Sequence, residues 1–331
     1  MHSQSSRSPA LLVASGGGHL EELIRLSDRV VPSDTPRIWM TPDTVHARSL
    51  LDGELVHFTG YVGPREFRSL SPLFRQTNRL IQRFQIASVF STGAAIAIPA
   101  FLAARKSGLE CHYIESAARA IGPSMSGKIV ERIPGVRLYT QYSIWANKNW
   151  LYSGSVFDGF DVTQLTAKTQ CNKVVVTFGT MQKYGFRRAI EVIAPILQGI
   201  GVESSNILWQ TGCTRLDGLS IDGRAMVPAQ ELREAMAEAD LIIAHAGVGS
   251  ALTALELGKA PIIIPRESRF NEHVDDHQTM IANELNTRGL AVACKVEDFD
   301  NSSISRALNL RISHSSSFKP FKLIRKDGYH D

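Results

Sequence analysis

Residues 241–278 read LIIAHAGVGSALTALELGKAPIIIPRESRFNEHVDDHQ, and that order of residue types points to one local solution. An apolar strand runs into a glycine turn, a helix, a second apolar strand and a polar loop. Gly247 and Gly249 let the backbone approach a diphosphate closely, Val248 lies between them, and Ser250 falls where the helix exposes its unpaired N–H groups. Glu256, further along the helix, offers a carboxylate to both hydroxyls of a ribose. After the next strand, Asp275, Asp276, His277 and Gln278 form a second polar cluster. His245, just before the turn, either touches the diphosphate or is a hydrogen-bonded core histidine. A lone glycine pair is weak evidence, but the ordered set points to a nucleoside diphosphate.

The first half repeats the theme. Leu11 to Ala14 is a short apolar strand that leads into Ser15, Gly16, Gly17, Gly18 and His19, and Leu20, Leu23, Ile24 and Leu26 then recur at helical spacing. Leu20 and Glu21 stand where a dinucleotide fingerprint needs its third glycine, so a nicotinamide site is disfavoured. His19 is a candidate general base, an imidazole near neutrality being suited to that work, or else a brace for the glycine loop. Ser91, Thr92, Gly93 and Ala94 follow a strand at Ala87 to Phe90. Glu115, at the end of the strand from Cys111 to Ile114, is the rival base or an acceptor for neighbouring N–H groups. Further strands are expected at Ile38 to Met40, Lys173 to Phe178, Asn206 to Gln210 and Pro261 to Pro265. Gly179 and Thr180 end VVVTFG in another phosphate-sized turn, and Gln210 ends ILWQ.

Alternating strand and helix patterns over 331 residues predict an α/β chain with two parallel-sheet domains. The expected boundaries are 1–155 for the first domain, 156–172 for a glycine-rich polar linker and 173–331 for the second. Four widely spaced cysteines contain no C-x-x-C pair, which argues against a zinc knuckle or a disulfide framework. The acidic cluster contains no D-x-D pair, so no metal is expected. The apolar run before the first glycines is too short for a signal sequence or a membrane span, and a cytoplasmic setting fits. Net charge is only +4, yet Arg65, Arg68, Arg75, Arg79 and Arg83 alternate with Phe67, Leu70, Leu73, Phe74, Leu80, Ile81 and Phe84. Either this amphipathic stretch lies on an anionic leaflet with its apolar groups dipping inward, or its apolar side packs on the sheet beneath solvated arginines. No nucleic-acid partner is expected.

These motifs resemble the inverting glycosyltransferases that include the peptidoglycan lipid II-forming and dolichol-linked N-acetylglucosaminyltransferases and bacterial exopolysaccharide enzymes. Asn271 to Gln278 matches the donor-side loop of that group, while S-G-G-G-H at residues 15–19 and I-E-S at residues 114–116 resemble its acceptor half. Ser91-Thr92-Gly93-Ala94 stands where that half usually has G-P-G-T. The resemblance implies a GT-B fold, two Rossmann-like domains whose parallel sheets face a central cleft, with both halves fused in one chain. It implies a UDP-sugar donor held by Gly179, Thr180, Gln210, His245, Gly247 to Ser250, Glu256, Asp276, His277 and Gln278, with no metal or other cofactor. It implies a polyprenyl diphosphate-linked acceptor near Gly16 to Gly18 and Ser91 to Gly93, and peripheral contact with the inner face of the cytoplasmic membrane. The exopolysaccharide relatives suggest glucuronic acid as the sugar, with Arg266 or Arg269 pairing its carboxylate. A UDP-sugar 2-epimerase and a non-catalytic recruiting subunit remain the alternatives.

Overall fold

The computed structural model describes residues 7–60, 70–165, 170–181, 183–316 and 321–323. The chain divides into two compact units, Met1–Val156 with Lys319–Asp331, and Phe157–Phe318. Unit 1 begins with β1 (Ala10–Ala14), α1 (Gly18–Val30), β2 (Arg37–Pro42), α2 (Val45–Leu50) and β3 (Val56–Thr59). It continues with α3 (Leu70–Phe84), β4 (Ser88–Gly93), α4 (Ala97–Lys106), β5 (Glu110–Ile114), α5 (Met125–Val130), β6 (Val136–Thr140) and β7 (Trp150–Tyr152). Its strands form one parallel sheet in the order β3-β2-β1-β4-β5-β6-β7. β1 is buried at every position, as expected of a central strand covered on both faces.

Unit 2 opens with β8 (Phe160–Gln164), so the segment read as a linker carries a strand before residues 166–169, which lie outside the described set. Next come β9 (Val174–Thr177), α6 (Arg187–Gly199), β10 (Ile207–Gln210), β11 (Gly223–Arg224), α7 (Ala229–Glu238) and β12 (Leu241–Ala244). The unit ends with α8 (Val248–Glu256), β13 (Ile262–Ile263), α9 (His277–Thr287), β14 (Val292–Ala293), α10 (Asn301–Leu308) and β15 (Leu310–His314). The second parallel sheet has the order β11-β10-β9-β12-β13-β14, and β8 pairs antiparallel with β15. After that ribbon the chain returns to unit 1, where Phe321 is buried with its ring 5.9 Å from that of Tyr139. The described residues 321–323 therefore belong with the first unit rather than the second.

Each sheet contains one point at which strand order reverses. In unit 1 the chain builds outward from β1 through β2 to β3, then restarts on the other side of β1 with β4. In unit 2 it builds from β9 to β10 and β11, then restarts beside β9 with β12. Loops leaving the carboxyl ends of the two strands at such a point diverge, and the gap between them is where open α/β sheets bind ligands.

α3 resolves the two readings of the arginine-rich stretch. Leu73, Leu80 and Ile81 are buried in the core of unit 1 with Ile98 and Phe101 of α4, and Phe74 and Phe84 pack against that core. Those five of the seven apolar groups expected to dip into a leaflet are spent on the fold, while Phe67 and the side chain of Leu70 lie outside the described residues. Arg75, Arg79 and Arg83 are left exposed, while Arg65 and Arg68 lie outside the described residues.

Candidate functional site

The reversal point of unit 1 is built around His19. Gly17 adopts φ 72° to turn β1 into α1, and His19 enters the first turn of that helix. Its Nδ1–H donates to the carbonyl of Thr92 at 3.0 Å, and the Thr92 hydroxyl donates back to the His19 carbonyl at 2.7 Å. This pair of bonds joins the loops after β1 and β4. It also assigns the neutral ring's proton to Nδ1 and leaves Nε2 as the basic nitrogen. Burial lowers the pKa of the ring, partly offset by the Thr92 bond, so the imidazole is neutral at pH 7. Gly93 is required beneath it: at φ 122° a Cβ would lie 3.1 Å from the Tyr113 hydroxyl and 3.3 Å from His19 Cε1.

Other expected residues here play supporting parts. Ser91 and Thr92 lie within β4 rather than after it, and both are buried. Ser91 Oγ accepts from Gly93 N at 3.1 Å, so both hydroxyls shape the turn and neither is displayed to an acceptor. Glu115 is likewise buried, its carboxylate accepting from Ser124 N at 2.9 Å, Ser124 Oγ at 3.1 Å, Ser116 N at 3.3 Å and the Tyr113 hydroxyl at 3.3 Å. Four donors on one carboxylate describe an anchor for the turn into α5. Burial raises its pKa against the pull of those bonds.

Sequence reading overlooked Glu22. It sits three residues after His19, on the same face of α1, and is 1 % exposed. It accepts from Ser116 Oγ and Ala117 N, both at 2.7 Å, and from Gln141 Nε2. Gln141 also donates to the Glu115 carbonyl and accepts from Val156 N. The helix that carries His19 is thereby tied to the loops after β5 and β6. A charged residue among the inward positions Leu20, Leu23, Leu26, Ser27 and Val30 was the one available signal.

Burial raises the Glu22 carboxyl to about 7 from 4.5, against the opposing bonds from Ala117, Ser116 and Gln141. A carboxyl raised on folding binds its proton more tightly in the folded chain. The stability it contributes is full below pH 4.5 and is lost as pH rises through about 7. The span corresponds to roughly 3 kcal/mol. Urea unfolding at pH 5 and pH 8 should show that fall, and Glu22→Gln should flatten it; an unchanged slope in the variant rules Glu22 out as its source.

The reversal point of unit 2 has the same plan. His245 follows β12, with Nδ1 3.4 Å from the carbonyl of Thr177 at the end of β9. Glycines bracket the ring. A Cβ on Gly179, which holds φ 70°, would stand 2.8 Å from His245 Cε1, and one on Gly247 would collide with Nε2. Burial, reinforced by the charge of Arg266, lowers His245 to about 4, so it is neutral at pH 7. Gly247 N-caps α8, whose opening N–H groups at Val248, Gly249 and Ser250 have no acceptor within the helix. Thr180 is exposed beside the Gly179 turn. These glycines, the neutral imidazole and the positive end of α8 form a cradle for an anion.

Around the cradle the expected contacts divide. Glu256 closes α8 and accepts from Arg233 Nη1 at 3.1 Å, with 20 % of its side chain exposed. Gln210 is buried, donating to Thr177 Oγ1 and accepting from Val227 N, both at 2.9 Å, so its amide fixes the loop rather than facing a base. Asp276 accepts from Ser268 N at 2.8 Å and Ser268 Oγ at 3.0 Å, and Gln278 Oε1 accepts from Arg266 N at 3.0 Å. His277 opens α9 with Nε2 3.4 Å from Asp275 Oδ2. Arg266 is fully buried and its guanidinium donates to backbone carbonyls, so it is not displayed to a uronate. Arg269 pairs with Glu267 at 2.7 Å and Glu297 at 3.4 Å. Among the described residues no group of three His, Cys, Asp or Glu side chains is placed to hold a metal ion.

Residues 173–314 match the glycosyltransferase family 28 C-terminal domain. Over 314 residues, 89 % of this chain and 85 % of the relative, the chain is 27 % identical to a UDP-N-acetylglucosamine--N-acetylmuramyl-(pentapeptide) pyrophosphoryl-undecaprenol N-acetylglucosamine transferase of Synechococcus sp. (strain CC9311). It is 38 % identical to the UDP-N-acetylglucosamine transferase subunit ALG13 of Mus musculus over 63 residues, 19 % of this chain and 5 % of that one. Among solved structures, Acinetobacter baumannii MurG superposes with a TM-score of 0.56 at 17 % identity, covering 91 % of this chain and 92 % of that one. A putative UDP-N-acetylglucosamine 2-epimerase from Listeria monocytogenes reaches 0.56 at 10 % identity, covering 95 % and 92 %. The fold is therefore GT-B, and fold alone does not separate a transferase from an epimerase.

Proposed function

We propose that this chain, a glycosyltransferase of the GT-B fold that resembles the UDP-sugar transferases, moves a sugar from a UDP-sugar to a hydroxyl of a polyprenyl diphosphate-linked saccharide with inversion. The observation that carries the reading is the shared plan of the two reversal points, each a glycine turn, a helix start and a neutral histidine bonded to the neighbouring strand. Unit 2 holds the donor: the start of α8 and its glycines stabilise the diphosphate as charge develops on it. Unit 1 holds the acceptor. Its hydroxyl oxygen attacks the anomeric carbon, the bond to UDP breaks on the opposite face, and the proton passes to His19 Nε2. The helix terminus does the work a divalent ion does elsewhere, so EDTA should leave the rate unchanged.

The resemblance to exopolysaccharide enzymes favours glucuronic acid, but Arg266 is buried and Arg269 is paired, so neither of the two arginines expected to meet the uronate is displayed to it. N-acetylglucosamine, the sugar named for the similar transferases, is its main competitor. A panel of radiolabelled UDP-sugars incubated with membranes tests both, since one label should enter the lipid fraction with release of UDP. Isomerised UDP-sugar without UDP release would instead mark an epimerase. A purified chain that transfers nothing until a second subunit is added would mark a recruiting protein.

Glu256→Ala should weaken UDP binding by roughly 1.5 to 3 kcal/mol, the range for charge-assisted hydrogen bonds to two ribose hydroxyls. Arg233→Ala is the control: it removes the same ion pair and should leave affinity nearly intact. Calorimetry that finds UDP binding unaltered in Glu256→Ala removes that carboxylate from the donor site.

A further inference from the structure

The loop from β5 to α5 holds a single cation, Arg119, and the fold makes no use of its side chain. The main chain there is held on both sides. Arg119 N donates to the Ser116 carbonyl at 2.8 Å, and the Arg119 carbonyl accepts from Trp145 Nε1, in the loop after β6, at 3.2 Å. The residue is partly buried. Its Nε is shut off from water without a hydrogen-bond acceptor, and no carboxylate pairs with the guanidinium among the described residues. Two acids share the neighbourhood. Burial raises Glu115 and the charge of Arg119 draws it down, but its carboxylate is taken up by Ser124, Ser116 and Tyr113. Glu22 is taken up by Ser116, Ala117 and Gln141. An N–H buried without an acceptor costs stability, and such an orphan in a folded chain calls for a partner.

We propose that Arg119 binds a phosphate of the acceptor's diphosphate, so that this end of the acceptor is held by the loop after β5 while its attacking hydroxyl lies at His19 Nε2. This rests on the reading of a diphosphate-linked acceptor. β1, β4 and β5 are neighbours in the sheet, so the His19 loop, the Gly93 turn and the loop bearing Arg119 leave the same edge. The bonds from Ser116 Oγ and Ala117 N to Glu22 fix that last loop against α1, about one turn from its start. At that start the N–H groups of Gly18, His19 and Leu20 have no acceptor within the helix, and Gly17 supplies no side-chain cap. The hydroxyls of Ser91 and Thr92, expected to meet the acceptor, are consumed by Gly93 N and the His19 carbonyl. Arg119 is left as the charged donor, and its planar fork suits two oxygens of one phosphate. A carboxylate on the acceptor saccharide has the same chemistry, but the diphosphate is present whatever the saccharide.

Geranyl diphosphate, titrated by calorimetry into the full chain with UDP saturating the cradle of unit 2, tests the assignment without requiring turnover. Arg119→Gln should weaken its binding by about tenfold or more, the low end for losing a charge-assisted hydrogen bond. Arg119→Lys should recover only part, because an ammonium cannot reproduce the fork. UDP affinity should be the same in all three proteins. The guanidinium makes no bond among the described residues, so the melting temperature of Arg119→Gln should equal or exceed that of wild type. In transfer assays the acceptor KM should rise by a similar factor, with the KM for the UDP-sugar unchanged. A wild type that binds geranyl diphosphate through Arg119 yet transfers no sugar counts against the proposed function alone. The assignment is overturned if the wild type does not bind geranyl diphosphate, if Arg119→Gln binds it equally well, or if that variant melts lower and the side chain is thereby a brace. Binding of glucuronic acid that depends on Arg119 where that of geranyl diphosphate does not overturns it in favour of a carboxylate.

Discussion

His19→Ala should lower turnover by about 100- to 10,000-fold, the usual contribution of a positioned base, while leaving UDP affinity nearly intact. The size follows from the geometry: the Thr92 carbonyl holds Nδ1–H at 3.0 Å, so the other nitrogen carries the lone pair. Because burial lowers the ring's pKa, turnover should rise with pH through a value below 6.5 and then level off. The variant should lose that limb. A histidine that only braced the loop would show a raised acceptor KM and a lower melting temperature, with turnover at saturation little changed. Glu115→Gln, measured in parallel, should cost stability more than turnover, since Ser124, Ser116 and Tyr113 already occupy its carboxylate. If both variants keep more than about a tenth of wild-type turnover, neither residue takes the acceptor proton.

What could be read in advance depended on whether a residue's surroundings were local. β1, β9 and β12 are buried on both faces, so their continuous apolar runs stand out in the sequence, and the glycine turns after them were legible for the same reason. β3, with sequence VHFT, and β6, with VRLYT, mix polar and apolar residues near the sheet margin and left no comparable run. The ribbon of β8 and β15 pairs segments far apart in the chain, with polar, largely exposed strands, and a glycine-rich segment there looked like a linker. Functional residues followed the same rule. Gly247 and His19 sit where a turn meets a helix, which sequence displays. Glu22, Gln141 and the inward set of Gln210 owe their meaning to partners many residues away, such as Ser116 for Glu22 and Thr177 for Gln210.

Arg266 shows how far that limit reaches, and it carries the other large expected effect. Its Nη1 donates to the carbonyls of Tyr184 at 2.7 Å, Gly185 at 3.2 Å and Glu272 at 3.3 Å, and its Nη2 donates to that of Phe178 at 3.0 Å. The guanidinium also lies over the Phe186 ring, 5.1 Å from its centroid. One cation thus holds the loop that leaves β9, next to Gly179, against the loop that follows β13. Arg266→Ala strands the carbonyls of Phe178 and Glu272 in a buried site, together with the half-buried ones of Tyr184 and Gly185, and should destabilise unit 2 by about 3 to 5 kcal/mol. Arg266→Lys should recover little, because a single ammonium cannot reproduce the planar fork. Hydrogen exchange of the β9 and β12 amides isolates the effect to unit 2, which a whole-chain melt would blur. Arg266 also presses the His245 pKa down, so Arg266→Met, where it stays folded, should let that imidazole titrate closer to 6.5 by NMR. A variant with wild-type protection in β9 and β12 that loses affinity for UDP-glucuronic acid alone would return Arg266 to the donor and restore the uronate as the transferred sugar.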